Sequence, residues 1–442
     1  MSVATISAVT SIEERRAELV EATRAELVEK IARYLPEPEV RAYYTWALST
    51  ANPERELFTR IIALTQLGNL TARILNQLPG PQDWSTVRRY TVSMNIYQIF
   101  EVISDNLAIG LGSVRPGAMS TTRNALVAFN TIMAAELRHP SKRDAAALLA
   151  DLRGPCAETS TFVQSLTAGD QARMVAQYIA TTGTEATERV LEHSTWSGLA
   201  ANLQSGRDVL AAIAGTHGEP FMRAKLIERY EAVNRTLTCD RLSRTELVET
   251  GGQAILATPT LGYYATVFGE IDHPDHGYRE ALRDGTLITA LDTASVLVRL
   301  LNDIGTPLLT MARQRRTELI RDLQQRNLTT DANDAVTLLT RTTDAVAFNR
   351  IHKDVINGEF NVCLYDVYRC HGLTDGLAAL LDNLNFFADL YTRQRMTLAM
   401  QLIRLDRRLR DRRITEVTRR FVAFHEQLYS HRYDSLAGDY AI

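Results

Sequence analysis

Very little in this chain interrupts a helix. Its 442 residues include 23 glycines and 12 prolines, and apolar–polar alternation never extends beyond four residues, so a β-sheet is not expected as the organising layer. No period of 30 to 45 residues recurs, which argues for one globular all-α domain over a repeat solenoid. No run of 18 apolar residues occurs, and Met1 to Glu14 show no basic start followed by an apolar stretch. Neither a membrane span nor a signal peptide is expected. Only four cysteines are present, Cys156, Cys239, Cys363 and Cys370, with no C-x-x-C pair. They read as buried thiols of a cytoplasmic protein rather than as a disulfide framework. Net charge is −3, which gives no electrostatic support to a nucleic-acid partner.

What is present is helix. Ala, Leu, Arg and Glu are abundant, and apolar residues recur at spacings of three and four. The pattern predicts helices over 12–34, 39–50, 54–78, 84–109, 119–137, 142–153, 169–182, 185–203, 206–215 and about 219–238, separated by Pro and Gly. The most loop-like stretch is Gly269 to Gly277. Hydrophobic residues make up 45% and charged residues 23%, an ordinary balance for a soluble globular domain.

Two apolar helices carry sudden polarity. In Val298-Arg-Leu-Leu-Asn302-Asp-Ile-Gly-Thr306, an unbroken helix would stack Asn302 and Thr306 on one face. An amide oxygen and a hydroxyl so placed suit a hard cation such as Mg²⁺. They equally suit helix carbonyls in a buried turn. In Ile99-Phe100-Glu101-Val-Ile-Ser-Asp105-Asn106, Glu101 and Asp105 share a face, ahead of a turn containing Gly110 and Gly112. The pair is either a metal-binding edge or an ordinary acidic face. An Asp near a helix C-terminus opposes the macrodipole, so a compensating cation is expected beside it.

These segments resemble the two metal-binding motifs of class I terpene synthases, Asp-Asp-x-x-Asp and Asn-Asp-x-x-Ser/Thr-x-x-x-Glu. The likeness is partial. Asn106 and Ile109 stand where the first motif has Asp, Thr310 stands where the second has Glu, and Pro307 follows Thr306. Two further segments fit the same order. Thr245 to Tyr264, with Gly251-Gly252, Pro259, Gly262 and Tyr263, resembles that family's broken helix. Phe424 to Asp434 resembles its last helix and Arg-Tyr ending, here Arg432-Tyr433. General likeness and size point toward the bacterial class I diterpene synthases of labdane type. The resemblance covers roughly 39–115, 240–310 and the last 20 residues. It implies an all-α terpenoid-synthase-like domain spanning 1–442, with a central apolar cavity and a helical insertion at about 140–230 that separates the two motifs more than is usual. It also implies a lyase that ionises a prenyl diphosphate with several Mg²⁺ ions bound alongside the diphosphate. Glu101, Asp105, Asn106, Asn302 and Thr306 would be the metal set. Arg432 and Tyr433 would act on the diphosphate, and Phe100, Gly262 and Tyr263 would face the substrate. No Asp-x-Asp-Asp string occurs, so protonation-initiated cyclisation is not expected.

Other readings stay open. An all-helical binding or scaffold protein fits the eroded motifs, and a prenyltransferase fits the same fold. The eight arginines from Arg404 to Arg420 read first as a solvated helix face, and second as a diphosphate-facing lid. His273 and His276 have Pro274 between them and no Cys or third His nearby, and read as loop residues. A monomer or homodimer is expected.

Overall fold

The first helix begins where the sequence supplies a capping box. Ser11 Oγ accepts from the Glu14 N–H at 3.1 Å, and Glu14 Oε2 accepts from the Ser11 N–H at 2.7 Å. Two donors that a helix start leaves unpaired are thereby satisfied. The helix runs Ile12–Tyr34 and stops ahead of Pro36. The computed structural model describes residues 11–80, 83–109, 111, 120–159, 169–239, 241–342 and 346–430. Among the described residues there are 21 α-helices and no strand. No helix among them is long and apolar enough to cross a membrane. The four cysteines are free thiols, and burial pushes Cys156 up to about 12.

Several boundaries differ from the periodicity reading. The segment expected as one helix over 54–78 is two, Arg55–Ile61 and Leu64–Leu75. Ala63 between them adopts φ 61°, a left-handed conformation that no helix interior accommodates. The stretches expected separately over 185–203 and 206–215 merge into one helix, Thr184–Ala212. It is buried on most sides from Ser194 to Leu210, as a central helix must be. It lies along Trp84–Ala108. This part of the 140–230 segment is therefore built into the core rather than added outside it.

The main core joins Thr121–Arg138, Gly218–Thr238, Ala257–Thr266, Thr286–Ile304 and Leu373–Arg408. A second apolar cluster sits between the N-terminal helices and one face of Trp84–Ala108, including Ile96, Ile99 and Phe100.

The stretch from Thr245 to Tyr264 is interrupted, but not where the glycines suggest. Arg244–Ala254 and Ala257–Thr266 are separated by Ile255, which is extended at φ −100°, ψ 160°. Pro259 falls in the first turn of the second piece, where a missing N–H costs no intrahelical bond. Gly251 and Gly252 lie inside the first piece. A Cβ on Gly251 would meet Arg299 Cγ at 3.3 Å, and one on Gly252 would meet Val296 Cγ2 at 3.3 Å. Their function is close approach to Thr286–Ile304. Ser295 Oγ completes the contact by donating to Gly252 O at 2.7 Å.

Candidate functional site

The broken helix orients the two helices that carry the sequence motifs. Along Trp84–Ala108, Tyr90 stacks edge-on against Tyr263, and Gln98 Nε2 donates to Thr260 Oγ1 at 2.7 Å. Along Thr286–Ile304, Asp292 Oδ1 accepts from Thr258 at 3.0 Å and Ser295 reaches Gly252. In both cases numbers rise on one helix as they fall on the broken one. The two motif helices are therefore parallel, and their C-terminal ends lie at the same end of the bundle.

At that end Glu101 is 1% exposed. Its Oε1 accepts from Tyr97 OH at 2.8 Å and from Tyr230 OH. Its Oε2 accepts from Ser104 Oγ at 2.9 Å and pairs with Arg229 Nη2 at 2.7 Å. Four donors thus converge on one carboxylate, which leaves no oxygen free for a cation. Burial and the Glu101 charge push both phenols well above their usual range, so they remain donors. Burial alone would lower the Arg229 guanidinium, but Glu101, Tyr230 and Asp105 raise it.

Asp105 stands one turn outward. Arg229 Nη2 reaches its Oδ1 at 3.5 Å, and its side chain is 73% exposed. This is the compensating cation expected at an acidic helix end. Desolvation on its inner side raises the Asp105 carboxyl to about 6; Arg229 and Lys353 oppose this, and Glu101 and Glu359 add to it. Its outer face stays open to solvent.

The second motif ends differently from the sequence expectation. Thr286–Ile304 stops at Gly305, which has φ 87°, and Thr306 starts a new short helix, Thr306–Thr310. Asn302 and Thr306 therefore do not share a helical face. Asn302 Oδ1 accepts from Arg350 Nη2 at 3.1 Å and Tyr429 OH at 2.9 Å, while Arg350 Nε donates to Asn302 O at 2.6 Å. Thr306 Oγ1 donates to Glu426 O at 2.7 Å, and Thr306 N–H donates to Tyr429 O at 3.1 Å. Both residues fasten the helix end to the C-terminal end of Arg413–Leu428, through Glu426 and Tyr429.

Asp303 is fully buried. Arg299, one turn earlier, binds it at 2.6 Å, and Val362 N–H donates to it at 2.8 Å. Asn361 Nδ2 bridges Asp303 O and Asp354 Oδ2, each at 2.7 Å. Asp354 Oδ1 is buried without a hydrogen-bond donor; Arg350 and Lys353 lie at 3.6 and 3.9 Å. Burial raises Asp354 to about 6 against the opposing pull of Arg350 and Lys353. Burial also raises Glu359, but Lys353 at 3.0 Å and Asn357 more than offset it. Glu359 and Lys353 are the groups whose charges Asp105 senses across the bundle end.

The structure thus brings Asp105 toward the Asn302 end through residues the sequence reading did not single out: Arg229, Arg350, Lys353, Asp354 and Glu359. Arg299/Asp303 and Arg350/Asp354 were legible as opposite charges four apart; Arg229 carried no local signal. The remaining expected site residues lie elsewhere. Phe100 packs into the N-terminal cluster. Gly262 lies against the Phe221 ring, and Tyr263 is wholly buried between Tyr90 and Tyr264. The side chain of Asn106, and Arg432 and Tyr433, lie outside the described residues. His273 has an Asp272 oxygen at 3.1 Å and, with Asp83, forms a three-ligand group. Arg413 sits among them, 2.6 Å from Asp272 and 3.1 Å from His273 Nδ1. His276 is exposed on the next turn, 3.6 Å from Glu280.

Comparison with known proteins returns no matching family model, no matching curated sequence and no matching solved structure.

Proposed function

We propose that this chain is a magnesium-dependent class I terpene synthase. Its substrate would be an allylic prenyl diphosphate of the C20 class, geranylgeranyl or copalyl/labdane-type, converted to an olefin or alcohol plus diphosphate. The observation that carries the reading is the placement of two parallel helices on either side of a broken helix, with charged groups gathered at one end. A dry apolar cavity between these helices, closed by the Arg432-Tyr433 tail, belongs to the proposal.

The charge balance supports a need for metal. Glu101, Asp105, Asp303, Asp354 and Glu359 face Arg229, Arg299, Arg350 and Lys353. Among the described residues, five carboxylates against four cations leave one negative charge in excess, which would repel a diphosphate. Divalent cations would reverse the sign and stabilise charge on the departing diphosphate. Among the expected ligands whose side chains are described, Asp105 fits this use as it stands, because its carboxylate is open. Glu101 and the Asn302 amide oxygen are already saturated, and Thr306 is tied to Glu426. In this reading Asp105 holds metal, Arg229 orients Asp105, and Arg350 and Tyr429 fix the facing helix end.

One observation favours a second reading, a non-catalytic helical binding protein: the fully satisfied hydrogen bonding of Glu101 and Asn302. The deciding assay incubates purified protein with Mg²⁺ and geranylgeranyl or copalyl diphosphate. It follows diphosphate release and identifies products by mass spectrometry. A cyclised olefin or alcohol is expected, and a longer prenyl chain would indicate a transferase. Asp105→Ala should lower turnover at least about tenfold, equivalent to about 1.4 kcal/mol. Absence of diphosphate release from every allylic substrate supports the binding-protein reading.

A further inference from the structure

The long helix Leu373–Arg408 buries one side and leaves the other uncovered. From Thr392 onward its exposed positions are Thr392, Arg393, Arg395, Met396, Ala399, Met400, Ile403, Arg404 and Arg407, and Arg410 follows just past its end. Met396, Met400 and Ile403 are 65%, 53% and 51% exposed. At helical spacing they form one continuous apolar ridge. Arg393 and Arg404 line one flank and Arg395 the other, while Arg407 stands within the ridge.

Between Asp389 and Asp411 no exposed position carries an acid. Asp406 is committed to Arg419 and Thr415, and Arg395 pairs with Glu426. Arg393, Arg404, Arg407 and Arg410 make no ion pair among the described residues. Three uncompensated cations, Arg393, Arg404 and Arg407, run along about 21 Å of helix at 1.5 Å per residue, and a fourth, Arg410, stands just past its end. A solvated helix face does not need the ridge, and a soluble surface ordinarily mixes both charge signs.

We propose that this face docks on an anionic lipid bilayer. The ridge would lie in the interface, and the arginines would engage lipid phosphates. Charge complementarity selects this occupant. A second copy of the chain, paired through the same face, would set arginines against arginines. A surface cavity of about 650 Å³, lined by Leu309, Met311, Arg313, Tyr391, Arg395 and Met396, opens beside the ridge. It would lie next to the bilayer surface, where an amphiphile could enter. The inference is independent of the reaction proposed above.

The test is co-sedimentation of the full chain with vesicles of phosphatidylcholine alone and with one-third phosphatidylserine, at low and high salt. Binding is expected only to anionic vesicles and should weaken with salt. Each arginine near an anionic surface contributes about fivefold. Arg393→Glu/Arg404→Glu/Arg407→Glu should therefore lower the partition coefficient at least about a hundredfold. Met396→Asp/Met400→Asp should also release the protein. Both variants alter exposed positions, and circular dichroism checks that they remain folded. The inference is overturned if the wild-type chain stays in the supernatant with anionic vesicles, or if folded variants bind as tightly as it does. It is also overturned if sedimentation equilibrium shows a dimer that the methionine variant dissolves while vesicle binding is absent.

Discussion

The Glu101–Arg229 pair allows a stability prediction whose size follows from the structure. Both side chains are almost wholly buried, 2% and 4% exposed, and only 2.7 Å apart. Replacing Arg229 by Met strands the Glu101 charge with only hydroxyl donors. Replacing Glu101 by Met strands Arg229 beside Asp105, which is solvated and more distant. Breaking a buried pair from one side costs about 3–5 kcal/mol, because an uncompensated charge remains. The double variant leaves no buried charge. Tyr97 and Tyr230 keep a bond to each other, since their hydroxyls are already 2.8 Å apart. Apolar replacement of a whole buried pair is often close to neutral, so the double variant should be more stable than either single one. Unfolding entropy of about 2.1 cal/mol/K per residue gives about 0.9 kcal/mol/K for this chain. Each single variant should then lower Tm by about 3–5 °C, and the double variant by less. Thermal denaturation at neutral pH measures all four proteins. The two effects simply adding, with coupling below about 0.5 kcal/mol, would refute the assignment of this pair as the charge centre of the bundle end.

Asp354→Asn should change the pH dependence of stability. The folded carboxyl is raised to about 6 from 3.8, so its contribution is full below about pH 4 and is lost as pH rises through about 6. Wild type should lose up to about 3 kcal/mol over that window relative to the variant. The Tm difference, variant minus wild type, should rise by about 3 °C between pH 4 and 7, and an opposite trend counts against it. Gly305→Ala should cost about 1–3 kcal/mol, because φ 87° with ψ 149° is a conformation few residues besides glycine adopt; an unchanged Tm would contradict this. If the proposed reaction is right, truncation after His431 should lower turnover more than substrate binding and shift products toward water-quenched alcohols. A truncated, folded protein with the same product and rate would exclude the clamp.

Helix content was legible because helix breakers are sparse and apolar residues recur at three and four. The helix expected over 12–34 is found as Ile12–Tyr34, its start fixed by the Ser11–Glu14 capping box. The errors have local causes. The break expected between 203 and 206 does not occur: Gly206 lies inside a buried helix against Tyr97 and Met133, where packing outweighs its propensity cost of about 1 kcal/mol. Gly251-Gly252 reads as a break, whereas the actual break at Ile255 is fixed by contacts with helices far away in sequence. No sequence pattern around Ala63 announces a left-handed residue.

The candidate site was legible only in part, because sequence spacing gives proximity along a helix but not which partner saturates a side chain. Glu101 and Asp105 do lie on one face, as their spacing requires. They nevertheless differ sharply: Tyr97, Ser104, Tyr230 and Arg229 enclose Glu101, whereas among the described residues Arg229 is the one paired with Asp105. Two of those four partners come from Gly218–Thr238, more than a hundred positions away. The same holds at Asn302, whose amide oxygen is filled by Arg350 and Tyr429 from two later helical segments. A buried carboxylate with four donors is held too well to serve a metal. Among the described residues Asp105 is instead an exposed carboxylate beside one arginine. In the proposed reaction the metal-binding role therefore falls on Asp105 rather than on the pair, and Asp105→Ala is the substitution that tests it.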